Sequence, residues 1–287
     1  MPGLLSVVAT PIGNLEDITL RALRVLREAD LVAAEDTRHT GKLLRHFGIE
    51  TPTISFHAHN VTARLPQLLS RLGLGQHVAL VTDAGTPGIS DPGVELVGAC
   101  QGLGVRVEAL PGPTASITAA VLSGFPIIPL TVLGFPPHRS VARSSWFEEA
   151  SDIPHTFTFF ESPHRMTSAI SEIAAYFVDR PICVARELTK AHETAVTVMS
   201  NDITGASIKL KGEFTVVVGP ASQATVAVVV KDVDLAERFR ELASLHRGTT
   251  RRDIVARLAT EMGLARSAVY SAIERAKRTE VDPETGP

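Results

Sequence analysis

From Leu4 to Leu122, short apolar runs alternate with segments whose apolar residues recur at helical spacing. Leu4–Thr10, Leu31–Glu35, Thr53–His57, Val78–Thr82 and Val105–Leu110 read as strands, and Ile18–Ala29, Lys42–Phe47, Val61–Leu72, Val94–Gly102 and Ala115–Leu122 as helices. This alternation predicts βαβ units on a parallel sheet, with each strand-to-helix loop on one edge. In the first helix Leu20, Leu23 and Leu26 set one face and Arg21, Arg24 and Arg27 another; Gly102 and Gly104 close the helix before Val105.

After Leu122 the pattern changes. Phe125–Ser145 is rich in Pro, Arg and Ser and reads as a linker or mobile loop, which puts a domain boundary there. Beyond it, Thr156–Phe160, Ile182–Leu188, Thr194–Val198 and Glu213–Val218 read as strands with a helix at Pro163–Phe177, and so few helices predict a mixed sheet. Leu235–Ser244, Arg251–Glu261 and Arg266–Lys277 are helical patterns. The expected organisation is α/β: an N-terminal domain with a parallel sheet over 1–125, a second domain with a mixed sheet over 126–222, and a helical appendage over 232–279.

The 287 residues are 44% hydrophobic and 21% charged, which fits a soluble globular protein with a sizeable core. Cys100 and Cys183 lie in apolar runs and read as buried small hydrophobes, consistent with a reducing cytoplasm. Leu4–Ala9 is too short for a signal or membrane segment, so a cytoplasmic protein without a membrane partner is expected. A net charge of −3 argues against a chain that wraps nucleic acid with its whole surface, but the charge is uneven. His246–Arg278 holds eight Lys or Arg and three acids, or +5, and leaves −8 elsewhere. Thr249 or Thr250 can cap the middle helix, and Met262-Gly263-Leu264 turns into the next, a helix-turn-helix-like pair suited to RNA phosphates.

The densest candidate chemistry lies in Thr82–Gly93, where five of twelve residues are Gly or Pro and two are Asp. A strand ending in an acidic, glycine-rich loop marks the carboxyl edge of an open α/β sheet, where ligands bind. Asp91 precedes Pro92 and reads as a helix cap, whereas Asp83 ends a buried strand and needs a partner, which a cationic or hydroxyl-rich ligand supplies. Neither a dinucleotide fingerprint nor a P-loop occurs. His57-Ala58-His59 lacks cysteine partners and His192-Glu193 lacks a second histidine, so no metal is expected.

Five ordered motifs carry a resemblance: Ala9-Thr10-Pro11-Ile12-Gly13-Asn14-Leu15, Ala34-Glu35-Asp36-Thr37-Arg38-His39-Thr40, the Thr82–Gly93 loop, Glu161-Ser162-Pro163-His164-Arg165 and Ala185-Arg186-Glu187-Leu188-Thr189-Lys190. From Leu4 to about Val218 the chain resembles the tetrapyrrole methylase family (class III methyltransferases), in particular its members that act on ribosomal RNA. The resemblance implies S-adenosylmethionine as methyl donor, held between two α/β domains, and 2′-O-methylation of a decoding-centre cytidine in 16S rRNA within the 30S subunit, by a homodimer. It carries donor contacts to Pro11, to Asp83, Gly85 and Thr86, and to Thr114 and Ala115, with Phe160, Leu188 and Phe214 as candidates for the adenine side. Proton removal from the attacking hydroxyl falls to Asp36, His39, Glu187 or Lys190, with Lys190 or Glu187 assisting. Arg38, Arg165 and Arg186 are candidate phosphate clamps, Arg38 and Arg186 orienting RNA. Two other functions fit the same residues: C-methylation of a tetrapyrrole precursor, which Arg38, His39 and the basic tail suit less well, and RNA binding without catalysis.

Overall fold

The computed structural model describes residues 3–221, 237–242, 250–262, 269–270 and 273. Five parallel strands, β1 (Leu4–Val8), β2 (Leu31–Ala34), β3 (Thr53–Ser55), β4 (His77–Val81) and β5 (Arg106–Leu110), form one sheet in the order β3-β2-β4-β1-β5. Because side chains alternate along a strand, each buried strand feeds two cores. Val8, Val32, Ala34, Ala79 and Val81 pack under helices α1 (Leu20–Glu28) and α2 (Thr37–His46). Leu5, Val7, Leu31, Ala33, Val78 and Leu80 pack under α3 (Val61–Gly73) and α4 (Val94–Gly102). This is the sandwich that right-handed crossovers produce when the chain reverses direction across the sheet.

Two details of the first helix and the expected linker differ. The core face of α1 is Ala22, Val25 and Leu26, while Leu20 is 86% exposed, because the face follows a 3.6-residue period rather than a strict step of three. The Phe125–Ser145 stretch holds β6 (Leu130–Val132) and the start of helix α6 (Ser140–Ser151), and Arg143 within it is buried by ion pairs.

The second sheet is mixed, as expected. It adds β7 (Thr156–Glu161), β8 (Pro181–Arg186), β9 (Thr194–Met199) and β10 (Phe214–Val218) in the order β6-β7-β10-β8-β9, and only the β6–β7 pair is parallel. One face carries an aromatic core, Phe147, Phe157, Phe159 and Phe177, under α6 and α7 (Met166–Tyr176). Its other face is covered by α5 (Ala115–Ser123), which leaves the first sheet's last strand and packs Ala119 near Cys183, Ala185 and Val217. Both cysteines are free and buried.

Met1–Ser222 forms one compact unit containing both sheets, and Gln223–Pro287 a second. In the second unit, residues 237–242 and Arg251–Met262 are helical, and Leu242, Val255, Leu258, Val269 and Ile273 share a core. The rest of the expected basic helix pair lies outside the described residues. Among the described residues no helix is long and apolar enough to cross a membrane.

Candidate functional site

The loops after β1, β2, β4 and β5 meet at the carboxyl edge of the first sheet. Thr10 and Gly85 exchange two backbone hydrogen bonds of 2.9 Å, which ties the first loop to the acidic one. Gly85 sits at φ +82°, a conformation that excludes most side chains. Thr86 donates its hydroxyl to the Pro113 carbonyl at 3.1 Å and so fastens the loop after β5. Gly13 meets the second sheet's β8–β9 turn so closely that an added Cβ would lie 2.7 Å from the Leu188 carbonyl oxygen and 2.5 Å from Lys190 Cγ. The first motif is therefore packed onto the fifth.

Between these loops and the second sheet lies a cavity of about 370 Å³. Asp83, Gly85, Thr86, Thr114, Ala115, Phe160, Leu188 and Phe214 all line it. Pro11 does not, but its neighbour Ile12 does. Sequence reasoning misses Glu35, Asp91, Phe135 and Thr215, which also form the walls. Phe135 packs against Phe160 in a tilted pair with centroids 5.3 Å apart, so the apolar wall is a pair of rings rather than one.

The opposite wall is acidic. Asp83 Oδ1 accepts from the Asp36 backbone N–H at 3.1 Å, and Glu35 Oε2 accepts from the Asp83 N–H at 3.3 Å. Burial raises the Glu35 carboxyl above its ordinary value, the Asp83 N–H pulls against that, and the Asp83 charge adds to it. Burial, then repulsion from Glu35, pushes Asp91 up to about 7. Asp91 is thus a cavity carboxyl and not a helix cap: Gly93, at φ +147°, is the residue that precedes α4, and no side chain caps that helix. Among the described residues no group of three or more His, Cys, Asp or Glu is placed to hold a metal ion.

The expected catalytic residues are distributed otherwise. Asp36 caps α2, accepts from the Arg38 N–H at 2.8 Å and pairs with its guanidinium, which holds the carboxyl well below the usual range. Glu187 and Thr189 adopt left-handed backbone, at φ +54° and +65°, in a turn held by Glu187 Oε1, which accepts from the Glu213 N–H and from Lys190 Nζ, both at 2.9 Å. The Lys190 pair lowers Glu187; burial opposes the Lys190 charge, but Glu187 and Glu213 outweigh it. Lys190 lines an open groove beside the cavity with Gly13, Asn14 and His46.

Two expected phosphate clamps face inward. Arg186 is buried and donates to Thr194 Oγ1 and to the Lys211 and His192 carbonyls. Arg165 binds the buried Glu161 carboxylate at 2.8 Å and the Pro136 carbonyl at 2.9 Å. Glu161 also pairs with Arg143 at 2.8 Å, and Arg143 in turn with Glu172. The Glu161–Arg165 motif therefore forms part of the cavity wall through Glu161, Ser162 and Pro163 and braces it through these ion pairs.

A family model for tetrapyrrole (corrin/porphyrin) methylases matches residues 4–203. A protein of Synechocystis sp. named ribosomal RNA small subunit methyltransferase I is 40% identical over 277 residues, 93% of this chain and 96% of its own. Its namesake from Escherichia coli O157:H7 is 48% identical over 67% of this chain and 68% of its own. The crystal structure of diphthine synthase overlays with a TM-score of 0.60 at 17% identity, covering 76% of this chain and 90% of its own. Uroporphyrin-III-C-methyltransferase from Thermus thermophilus gives 0.55 at 20%, covering 78% and 98%. At those identities the two structures speak for the fold alone.

Proposed function

The chain belongs to the tetrapyrrole methylase family, and on that premise we propose that it is an S-adenosylmethionine-dependent methyltransferase acting on a cytidine ribose 2′-hydroxyl in the decoding centre of 16S ribosomal RNA. The observation that carries this reading is the cavity, with Phe135, Phe160, Leu188 and Phe214 on the mixed-sheet side, where Glu161 and Glu213 also line it, and Glu35, Asp83 and Asp91 on the loop side. The donor combines a flat aromatic base with a cationic sulfonium and amino group, so its chemistry fits both walls. When bound, it supplies an electrophilic methyl group. The names of relatives that span nearly the whole chain support RNA as acceptor.

The chain's own residues have three tasks. Phe160, Phe135, Leu188 and Phe214 exclude water from the base side, and Thr86 and Thr114 offer hydroxyls at the loop side. Glu35, Asp83 and Asp91 favour positive charge. A ribose hydroxyl is a very weak acid and gives up its proton best to a group that titrates near the working pH. Asp36 and Glu187 are held low by cations, whereas burial and the neighbouring Glu35 push Asp91 up to about 7. Asp91 is therefore the proton acceptor best matched to neutral pH, with Lys190 and Glu187 shaping the rim.

The test is methyl transfer from labelled donor to 30S subunits, naked 16S rRNA and tetrapyrrole precursors, with the modified atom mapped. Label on a cytidine 2′-oxygen is expected. Transfer only to a tetrapyrrole carbon, or RNA binding with no donor binding by calorimetry, overturns the reading.

A further inference from the structure

Helix α2 runs Thr-Arg-His-Thr-Gly-Lys-Leu-Leu-Arg-His, with three full cations, two histidines and no acid. Thr40, Leu43 and Leu44 bury its inner side, while Arg38, His39, Lys42, Arg45 and His46 are exposed. Arg38, Lys42 and Arg45 are spaced four and three residues apart, so they line one stripe down the helix. Among the described residues Lys42 and Arg45 form no ion pair, and Arg38 pairs only with Asp36 of its own cap.

The stripe is local to one side of the sheet. Helices α1 and α2, which share a face, carry six Lys or Arg against Glu28 alone. Helices α3 and α4 on the opposite face carry Arg64 and Arg71 against Glu95. Such asymmetry in a chain of net charge −3 marks a surface for a polyanion.

Its position ties it to the cavity. The cap of α2, Asp36, hydrogen bonds through its backbone to Asp83 in the acidic wall. At the other end, His46 lines the open groove with Gly13, Asn14 and Lys190. Ten residues of helix, about 15 Å, therefore lead from the cavity corner to the groove. Gly41 lies in the middle of the helix, and a Cβ there would meet only Arg45 Nη1, at 3.6 Å. Internal packing does not require this glycine, and it lets a partner's backbone approach the stripe closely.

We propose that the exposed face of α2, through Arg38, Lys42, Arg45 and His46, binds the phosphate backbone of the RNA strand flanking the methylated nucleotide. The proposal rests on the reading of the protein as an RNA methyltransferase. Phosphate contacts of this kind position the strand and carry no sequence information, so their loss weakens binding to any RNA and lessens its salt dependence.

The experiment measures affinity of the full-length protein for 30S subunits and naked 16S rRNA across a salt series, for Lys42→Gln/Arg45→Gln and for Arg64→Gln/Arg71→Gln on the opposite face. The α2 variant is expected to lose about tenfold in RNA affinity, and its salt slope to fall by about two. Its KM for RNA rises, while donor affinity and kcat at saturating RNA stay at the wild-type level. Exchanging the two side chains as Lys42→Arg/Arg45→Lys keeps both charges and holds binding at the wild-type level. Unchanged affinity and slope in the α2 variant, or an equal loss in the opposite-face variant, overturns the proposal. If wild-type protein binds RNA through α2 but methylates none, the functional reading fails and only the phosphate-binding face of α2 stands; if wild-type protein binds no RNA, both fall.

Discussion

The two sheets treat charge in opposite ways. Among the described residues the cations of the mixed sheet are held from within: the buried Arg143 by Glu161 and Glu172, the partly buried Arg165 by Glu161, and the buried Arg186 and Arg180 by backbone carbonyls. Burial even draws Arg180 down to about 10. On the parallel sheet the carboxyls of Glu35, Asp83 and Asp91 crowd one cavity wall, and among the described residues none of the three forms a salt bridge. One sheet supplies its buried cations with partners of its own, and the other, among the described residues, leaves three cavity carboxyls without an ion pair.

The largest expected effect breaks the structural side. Glu161→Gln leaves Arg143 and Arg165 without their shared buried partner and costs about 3–5 kcal/mol of stability, measured by denaturant unfolding. A loss below about 1 kcal/mol would mean that the network is solvated and the contrast false.

Asp91→Asn attacks the available side. Methyl transfer at pH 8 is expected to fall about 100-fold, the usual contribution of a positioned base. In wild type, activity rises with pH through about 7 as Asp91 loses its proton, and in the variant this rise disappears. Stability moves the other way. The folded-state value is raised from 3.8 to about 7, so the folded protein binds the proton more tightly, and Asp91 lowers stability progressively as pH rises across that window. The unliganded variant is therefore expected to be more stable than wild type at pH 8, by about 1 kcal/mol once solvent screening is allowed for, and to match it at pH 3. Equal thermal unfolding curves at pH 8 would remove Asp91 from the acidic wall.

The smallest effect sharpens the comparison at the boundary. Phe160→Ala strips one of the paired rings and is expected to weaken donor binding about tenfold in calorimetry, in keeping with the apolar surface lost. No change would move the base away from the mixed sheet.

What the sequence makes legible follows from chain-local physics. A buried strand that ends in glycine and acid announces a ligand edge, and that points to Asp83 and Gly85, while Thr86 is reached only through the family resemblance; all three line the cavity. The same logic applies to Glu35 at the end of fully buried β2, and it is the signal that finds this residue. Asp91 misleads because Asp-Pro before a helix looks like a cap, while the helix starts two residues later, after a glycine whose φ no sequence rule reports. Arg165 and Arg186 mislead for a different reason: a guanidinium in a motif looks alike whether it meets phosphate or carbonyls, and only the tertiary partners decide. The expected linker conceals Arg143 because its acids lie 18 and 29 residues downstream.

The strand order of the second sheet has a consequence for how the protein is made. β10 is the last strand of that sheet in the chain, yet it sits between β7 and β8. During synthesis β7 and β8 emerge without a shared neighbour, and α5, made earlier still, has no finished surface to cover. The sheet is complete only when Phe214–Val218 appears, and with it Phe214 and Thr215 of the cavity wall. A chain that stops before residue 214 has every strand of the parallel sheet and all of its acidic loops, but lacks the central strand of the second sheet and two residues of the cavity wall.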